Sequence, residues 1–161
     1  MIDQEGFREN VGIIVANEKG QVLLAKRTGT PNAWQFPQGG INDQESVVDA
    51  MYRELHEELG LFQKDVKVLA QSPHWLHYRL PVRFRRSDDP SKCIGQKQKW
   101  FLLQLMCEAS AIRLDMSTHP EFDAWQWVDY WAPLKHIIFF KRAVYRQVLK
   151  EFEGNLPCTK R

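Results

Sequence analysis

Residues 39–61 read Gly39-Gly40-Ile41-Asn42-Asp43-Gln44-Glu45-Ser46-Val47-Val48-Asp49-Ala50-Met51-Tyr52-Arg53-Glu54-Leu55-His56-Glu57-Glu58-Leu59-Gly60-Leu61. Ser46 with Asp49 three residues later opens a helix in the manner of a capping box, and Gly60 is a good stop. At about 100° per residue, Val48, Met51, Tyr52, Leu55 and Leu59 share one face, and Glu54, Glu57 and Glu58 fall on another. The three glutamates stand at i, i+3 and i+4, which sets their Cβ atoms about 5–6 Å apart. Like charges so placed repel. A divalent cation removes that penalty, and hard oxygen ligands suit Mg²⁺ or Mn²⁺. Taken alone, most glutamate-rich helix faces are simply solvated.

Working outward, Val11–Ala16 and Val22–Ala25 are short apolar runs flanking Asn17-Glu18-Lys19-Gly20, the pattern of a β-hairpin. Pro31-Asn32 marks a loop, and Trp34-Gln35-Phe36 alternates before the breaker Pro37-Gln38-Gly39-Gly40. Val66–Ala70, Trp75–Leu80 and Trp100–Met106 are strand candidates, Trp125–Trp131 is a strand or a strand plus turn, and Arg83–Gly95 is a polar loop with four basic residues. Pro133 opens an expected helix reaching Phe152, its body about 134–152, because Ile137, Ile138, Val144, Tyr145, Val148, Leu149 and Phe152 keep a roughly helical period. Strands alternating with two helices give an α/β sandwich in one domain over 1–161.

The chain has 161 residues, 43% hydrophobic and 26% charged, which excludes a disordered chain, a collagen and a disulfide-stapled miniprotein. The longest purely apolar runs, Trp100–Leu103 and Ile137–Phe140 among them, fall far short of a membrane span, and residues 1–10 do not read as a signal peptide. Cys93, Cys107 and Cys158 form no metal-spaced pair, and their odd number argues against a full disulfide set, so the expected compartment is the cytoplasm. His74, His77, His119 and His136 show no zinc spacing, and His56 reads as solvated. Net charge is +2, but residues 39–61 carry six acids against Arg53 alone, and Leu134–Arg161 carries seven Lys or Arg against two glutamates. An acidic patch in a basic frame suits a metal site that receives a polyanion, although a mixed solvated surface has the same counts.

Gly39, Glu45, Arg53-Glu54-Leu55, Glu57-Glu58 and Gly60-Leu61 resemble the full signature of the Nudix hydrolase family, G-x5-E-x7-R-E-U-x-E-E-x-G-U with U apolar. A chance match is on the order of 10⁻¹⁰ to 10⁻⁹ per start position at ordinary residue frequencies. The resemblance implies an α+β fold, a mixed β-sheet sandwiched between helices, with 39–61 as a loop–helix–loop. It also implies an enzyme that hydrolyses a phosphoric anhydride in a nucleotide derivative. Glu54, Glu57 and Glu58 map onto the catalytic, metal-binding glutamates, and Glu54 is assigned as the base. Gly39 is placed at the metal, and Glu45, Arg53, Gly40 and Gly60 are expected to be structural.

Likeness to one branch of the family extends over about residues 1–152. It runs through Arg8-Glu9-Asn10-Val11-Gly12, Trp34–Asn42, Cys93–Leu105, Pro120-Glu121-Phe122-Asp123 and Phe140-Lys141-Arg142. That branch implies Mg²⁺-dependent conversion of the 5′-triphosphate end of single-stranded RNA to a monophosphate, promoting mRNA decay. It makes Glu121 a further metal-site carboxylate and Arg8 a triphosphate contact, with Tyr78, Gln96 and Lys99 as weaker ones. Arg27, Ile138, Phe140 and Lys141 line the expected pocket for a base. Ala33 stands where relatives can carry a serine, so a base preference does not transfer. Two alternatives stay open: hydrolysis of dinucleoside polyphosphates such as Ap4A or Ap5A as the main activity, and a silent nucleotide-binding module, against which the intact four carboxylates weigh. No membrane partner is expected.

Overall fold

The computed structural model describes residues 2–85 and 93–157. Most of the Arg83–Gly95 loop, and Cys158, lie outside the described residues. The strands are β1 (Phe7–Ala16), β2 (Val22–Arg27), β3 (Trp34–Gln35), β4 (Gln38–Gly40), β5 (Val66–Gln71), β6 (Leu76–Arg79), β7 (Gly95–Leu105) and β8 (Phe122–Val128). The helices are α1 (Val47–Leu59), α2 (Pro133–His136) and α3 (Arg142–Phe152). The strands form one mixed sheet with the path β3-β2-β1-β7-β5; β4 also pairs with β1, β6 with β7 and β8 with β2.

The centre of the sheet is the parallel pair β1–β7, in register from Phe7↔Gly95 to Ala16↔Gln104. Val11 and Ile13–Ala16 are all buried, as a strand covered on both faces requires. Alternate side chains go to opposite layers. Val11, Ile13, Phe101 and Leu103 pack with Met51 and Leu55 of α1. Ile14, Trp100 and Leu102 pack with Tyr145, Val148 and Phe152 of α3. The sheet therefore lies between helices, as expected.

Several details depart from the sequence reading: Gln38–Gly40, read as a breaker, pairs with β1 as β4, and the strand expected from Trp125 begins at Phe122 and ends at Val128. The β1–β2 hairpin is joined only at Ala16↔Val22, because β1 turns its edges to β4 and β7 while β2 goes to β8. The strand expected from Trp100 begins at Gly95, since pairing with β1 carries it five residues further back.

The helix expected over 134–152 is interrupted after His136: Ile137 and Ile138 are extended, with ψ of 145° and 143°, and α3 starts only at Arg142. Ile137, Ile138, Phe139 and Phe140 are four consecutive large apolar residues. On a helix they would spread about 300° and could not share one buried stripe. With Ile137 and Ile138 extended and Phe139 opening the turn that follows, Ile137 is buried while Ile138 and Phe139 point outward.

Candidate active site

α1 is delimited as its sequence dictates. Ser46 Oγ accepts from the Asp49 N–H at 3.0 Å, and Gly60 takes the left-handed conformation (φ 71°) with its N–H on the His56 carbonyl. The apolar face is rotated from the expected one. Val48 is 43% exposed, and the buried arc holds Ala50, Met51, Glu54, Leu55, Glu58 and Leu59. Glu54 and Glu58 are thus not on a solvated face; they continue the stripe that faces the sheet. His56 is half-buried against Phe62, not solvated, with rings 4.6 Å apart.

Arg53 organises the loop. Its Nε and Nη2 donate to the two carboxylate oxygens of Glu45 at 2.8 and 2.9 Å, and Nη2 also reaches the Gly40 carbonyl at 2.8 Å. Nη1 donates to Glu54 Oε1 at 2.9 Å and Glu57 Oε1 at 3.2 Å. This fork-to-carboxylate pairing holds Arg53 protonated well above its ordinary range. The same pairing holds Glu45 below the usual carboxylate range.

One oxygen from each of Glu54, Glu57 and Glu58 lies within 4.8 Å of the others. Burial pushes Glu54 up to about 7, against the pull of Arg53. Burial, then the charges of Glu121 and Glu54, push Glu58 up to about 8. Glu121 comes from the turn before β8, where its carbonyl accepts from the Thr28 N–H at 2.9 Å. Gly39 packs directly on the Glu54 carboxylate, and any side chain there would occupy its space. A set of hard, mutually repelling oxygens, two of them buried, fits a divalent cation.

Two cavities meet here. An acidic one of about 480 Å³ is lined by the four glutamates, Gly39, Arg8 and Gln96. Arg8 and Gln96 are side by side because β1 and β7 run parallel in that register. A second cavity of about 580 Å³ is lined by Tyr78, Ala33, Ile138 and Phe140. Arg27, Gln35, Gln38, Gln96 and Lys141 line both, so the two are one continuous groove. Lys141 is buried and pushed down to about 8, by desolvation first and the Arg27 charge second. Burial likewise pushes the Tyr78 phenol up to about 12.

Most of the expected residues are therefore brought together, but Lys99 is not. Its Nζ donates to the Pro73 carbonyl at 3.0 Å and lies over the Trp75 ring. Gln96 and Lys99 are an odd number of residues apart in one strand and so point to opposite faces, and Lys99 lines neither cavity.

The sequence reading missed Gln38. Its Oε1 accepts from Lys141 Nζ and Gln98 Nε2, each at 3.3 Å, and its Nε2 donates to the Tyr78 hydroxyl at 3.3 Å. The available signal was its place directly before Gly39. Ser117 and His119 also line the acidic cavity and carried no sequence signal.

The NUDIX domain family matches residues 6–151. The chain is 59% identical over 156 residues to the RNA pyrophosphohydrolase of Haemophilus influenzae (strain PittEE), covering 97% of this chain and 79% of that protein. It is 56% identical over 162 residues to the RNA pyrophosphohydrolase of Pseudoalteromonas translucida, covering 100% and 94%. Among solved structures, an E. coli dihydroneopterin triphosphate pyrophosphohydrolase superposes with a TM-score of 0.71 at 18% identity, over 90% of this chain and 98% of that one. A C. elegans Ap4A hydrolase does so with a TM-score of 0.65 at 16% identity, over 91% and 98%; both likenesses bear on the fold alone. With the signature in place on a loop–helix–loop against this mixed sheet, the chain belongs to the NUDIX family.

Proposed function

We infer that this protein removes pyrophosphate from the triphosphorylated 5′ end of RNA in the cytoplasm, leaving a monophosphate and promoting mRNA decay. The observation that carries this reading is the continuous groove. An acidic cavity suited to a cation and phosphates opens, past Lys141 and Gln38, into a cavity with aromatic walls suited to a base. The RNA pyrophosphohydrolase relatives, alike over nearly the whole chain, support it.

In this reading one domain over 1–161 does the work, and Glu54, Glu57, Glu58 and Glu121 hold Mg²⁺, with Mn²⁺ able to substitute. The bound cation supplies neutralisation of phosphate charge and orientation of water. Glu54 accepts the proton of the attacking water, a task that a carboxylate placed beside the cation can perform. Arg8, Arg27 and Lys141 hold the polyphosphate by charge. Tyr78, Phe140 and Ile138 contact the base. Gln96 Oε1 is buried with no partner among the described residues and faces a donor on the substrate. Arg53 with Glu45 positions Glu54, and Gly39, Gly40 and Gly60 shape the loops.

The test is a competition with Mg²⁺ between a short 5′-triphosphate RNA and Ap4A at equal concentration. The expected result is a kcat/KM at least about tenfold higher for RNA, and loss of about 10²–10⁴-fold in Glu54→Gln with the fold intact. Equal or better turnover of Ap4A overturns the RNA reading. Absence of turnover on every polyphosphate overturns the catalytic one.

A further inference from the structure

Phe84 lines the larger cavity together with Tyr78 and Phe140, and the aromatic run continues past it to Phe139, which lies outside. The Tyr78 and Phe140 rings are 5.8 Å apart, and Phe140 stands 5.2 Å from Phe84 and 5.5 Å from Phe139. Exposure rises outward along this run: Tyr78 is buried, Phe140 half-buried, and Phe84 and Phe139 are 41% and 50% exposed. The Arg83 guanidinium lies over both outer rings, 4.9 Å from the Phe84 centroid and 5.5 Å from that of Phe139.

The outer members come from two separate single turns, Val82–Phe84 and Phe139–Lys141. The second exists because the helix breaks at Ile137. An unbroken helix would carry Phe139 on a different heading.

Two half-exposed rings capped by a planar cation are not what packing alone favours. They do suit a single strand leaving a nucleotide pocket. Any base presents a π-face that stacks on a ring, and the guanidinium draws the adjoining phosphate. A dinucleoside polyphosphate ends at its second nucleoside and has no strand to lay down there. Continuity of the rings with the cavity wall, together with the charge of Arg83, selects RNA as the occupant.

We propose that Arg83 and Phe139, standing outside the cavity against the rim residue Phe84, form a stacking platform for the nucleotides that follow those held in the cavity, binding them without regard to base identity. This rests on the RNA reading above.

The experiment measures kcat/KM with Mg²⁺ for 5′-triphosphate oligoribonucleotides of increasing length, starting from one nucleotide, and for Ap4A. Wild type is compared with Phe139→Ala, Arg83→Gln and Phe139→Tyr, each checked for an unchanged melting temperature. The expected wild-type value rises about tenfold once the strand outgrows the cavity. Phe139→Ala and Arg83→Gln flatten that rise and leave the shortest substrates and Ap4A unchanged, while Phe139→Tyr keeps it. Three outcomes overturn the platform and leave the RNA reading standing: no rise in wild type, a rise retained in both variants, or an equal loss at every length, which would make Phe139 a prop for Phe140. Absence of turnover on every triphosphate RNA overturns both readings together.

Discussion

The Glu54 carboxylate fills the space in front of Gly39: a Cβ on residue 39 would overlap Glu54 Cδ. A glycine in β4 and a glutamate in α1 thus share one volume, and the absence of one side chain is what lets the other sit at the cavity floor. Gly39→Ala forces the flexible end of Glu54 aside and leaves the backbone alone. Stability is expected to change by only about 1 kcal/mol. Turnover should fall about 100-fold or more, because a displaced carboxylate no longer meets the reacting geometry. Denaturant titration and single-turnover kinetics on the same preparation check this; a large stability loss with activity retained per folded molecule would contradict it.

The metal-free protein should lose stability with rising pH. Glu54 and Glu58 are raised in the folded state to about 7 and about 8, from an ordinary value of 4.5. Between those limits the folded state binds more protons than the unfolded one, so their contribution is full below about 4.5 and is lost as pH rises through about 8. Melting temperatures with EDTA should be lower at about pH 8 than at about pH 5. Mg²⁺ should recover the difference at the higher pH, because a cation replaces the protons. Glu54→Gln should flatten the metal-free slope.

Lys141 carries the opposite signature. Its folded value of about 8, against 10.5, means that the folded state binds fewer protons than the unfolded one between those limits. The cost of burying the ammonium is full below about 8 and disappears as pH rises toward about 10.5. Lys141→Met should therefore gain about 1–3 kcal/mol in urea titrations near neutral pH, and the gain should shrink in alkali. The same change should raise KM for triphosphate RNA about tenfold or more, through loss of a charge-assisted phosphate contact. A variant that is less stable at neutral pH would show the Gln38 hydrogen bond to outweigh desolvation.

What was legible in the sequence was local. The caps of α1 at Ser46 and Gly60, the spacing of Glu54, Glu57 and Glu58, and the family signature are all properties of neighbouring residues, because helix geometry and capping act over a few positions. The mixed sheet between helices followed from the family resemblance. What only the tertiary structure decided depends on segments far apart in the chain. Parallel pairing of β1 with β7 sets Arg8 beside Gln96 and turns Lys99 to the other face. The sheet draws Glu54 and Glu58 into the buried arc of α1, where a wheel had placed them outside. Packing of Ile137 against the core breaks the C-terminal helix, which buries Lys141 beside Gln38. Helical periodicity registers which residues are apolar. The direction from which the rest of the chain arrives decides which of them are covered, and that direction is set by strand register, a non-local quantity.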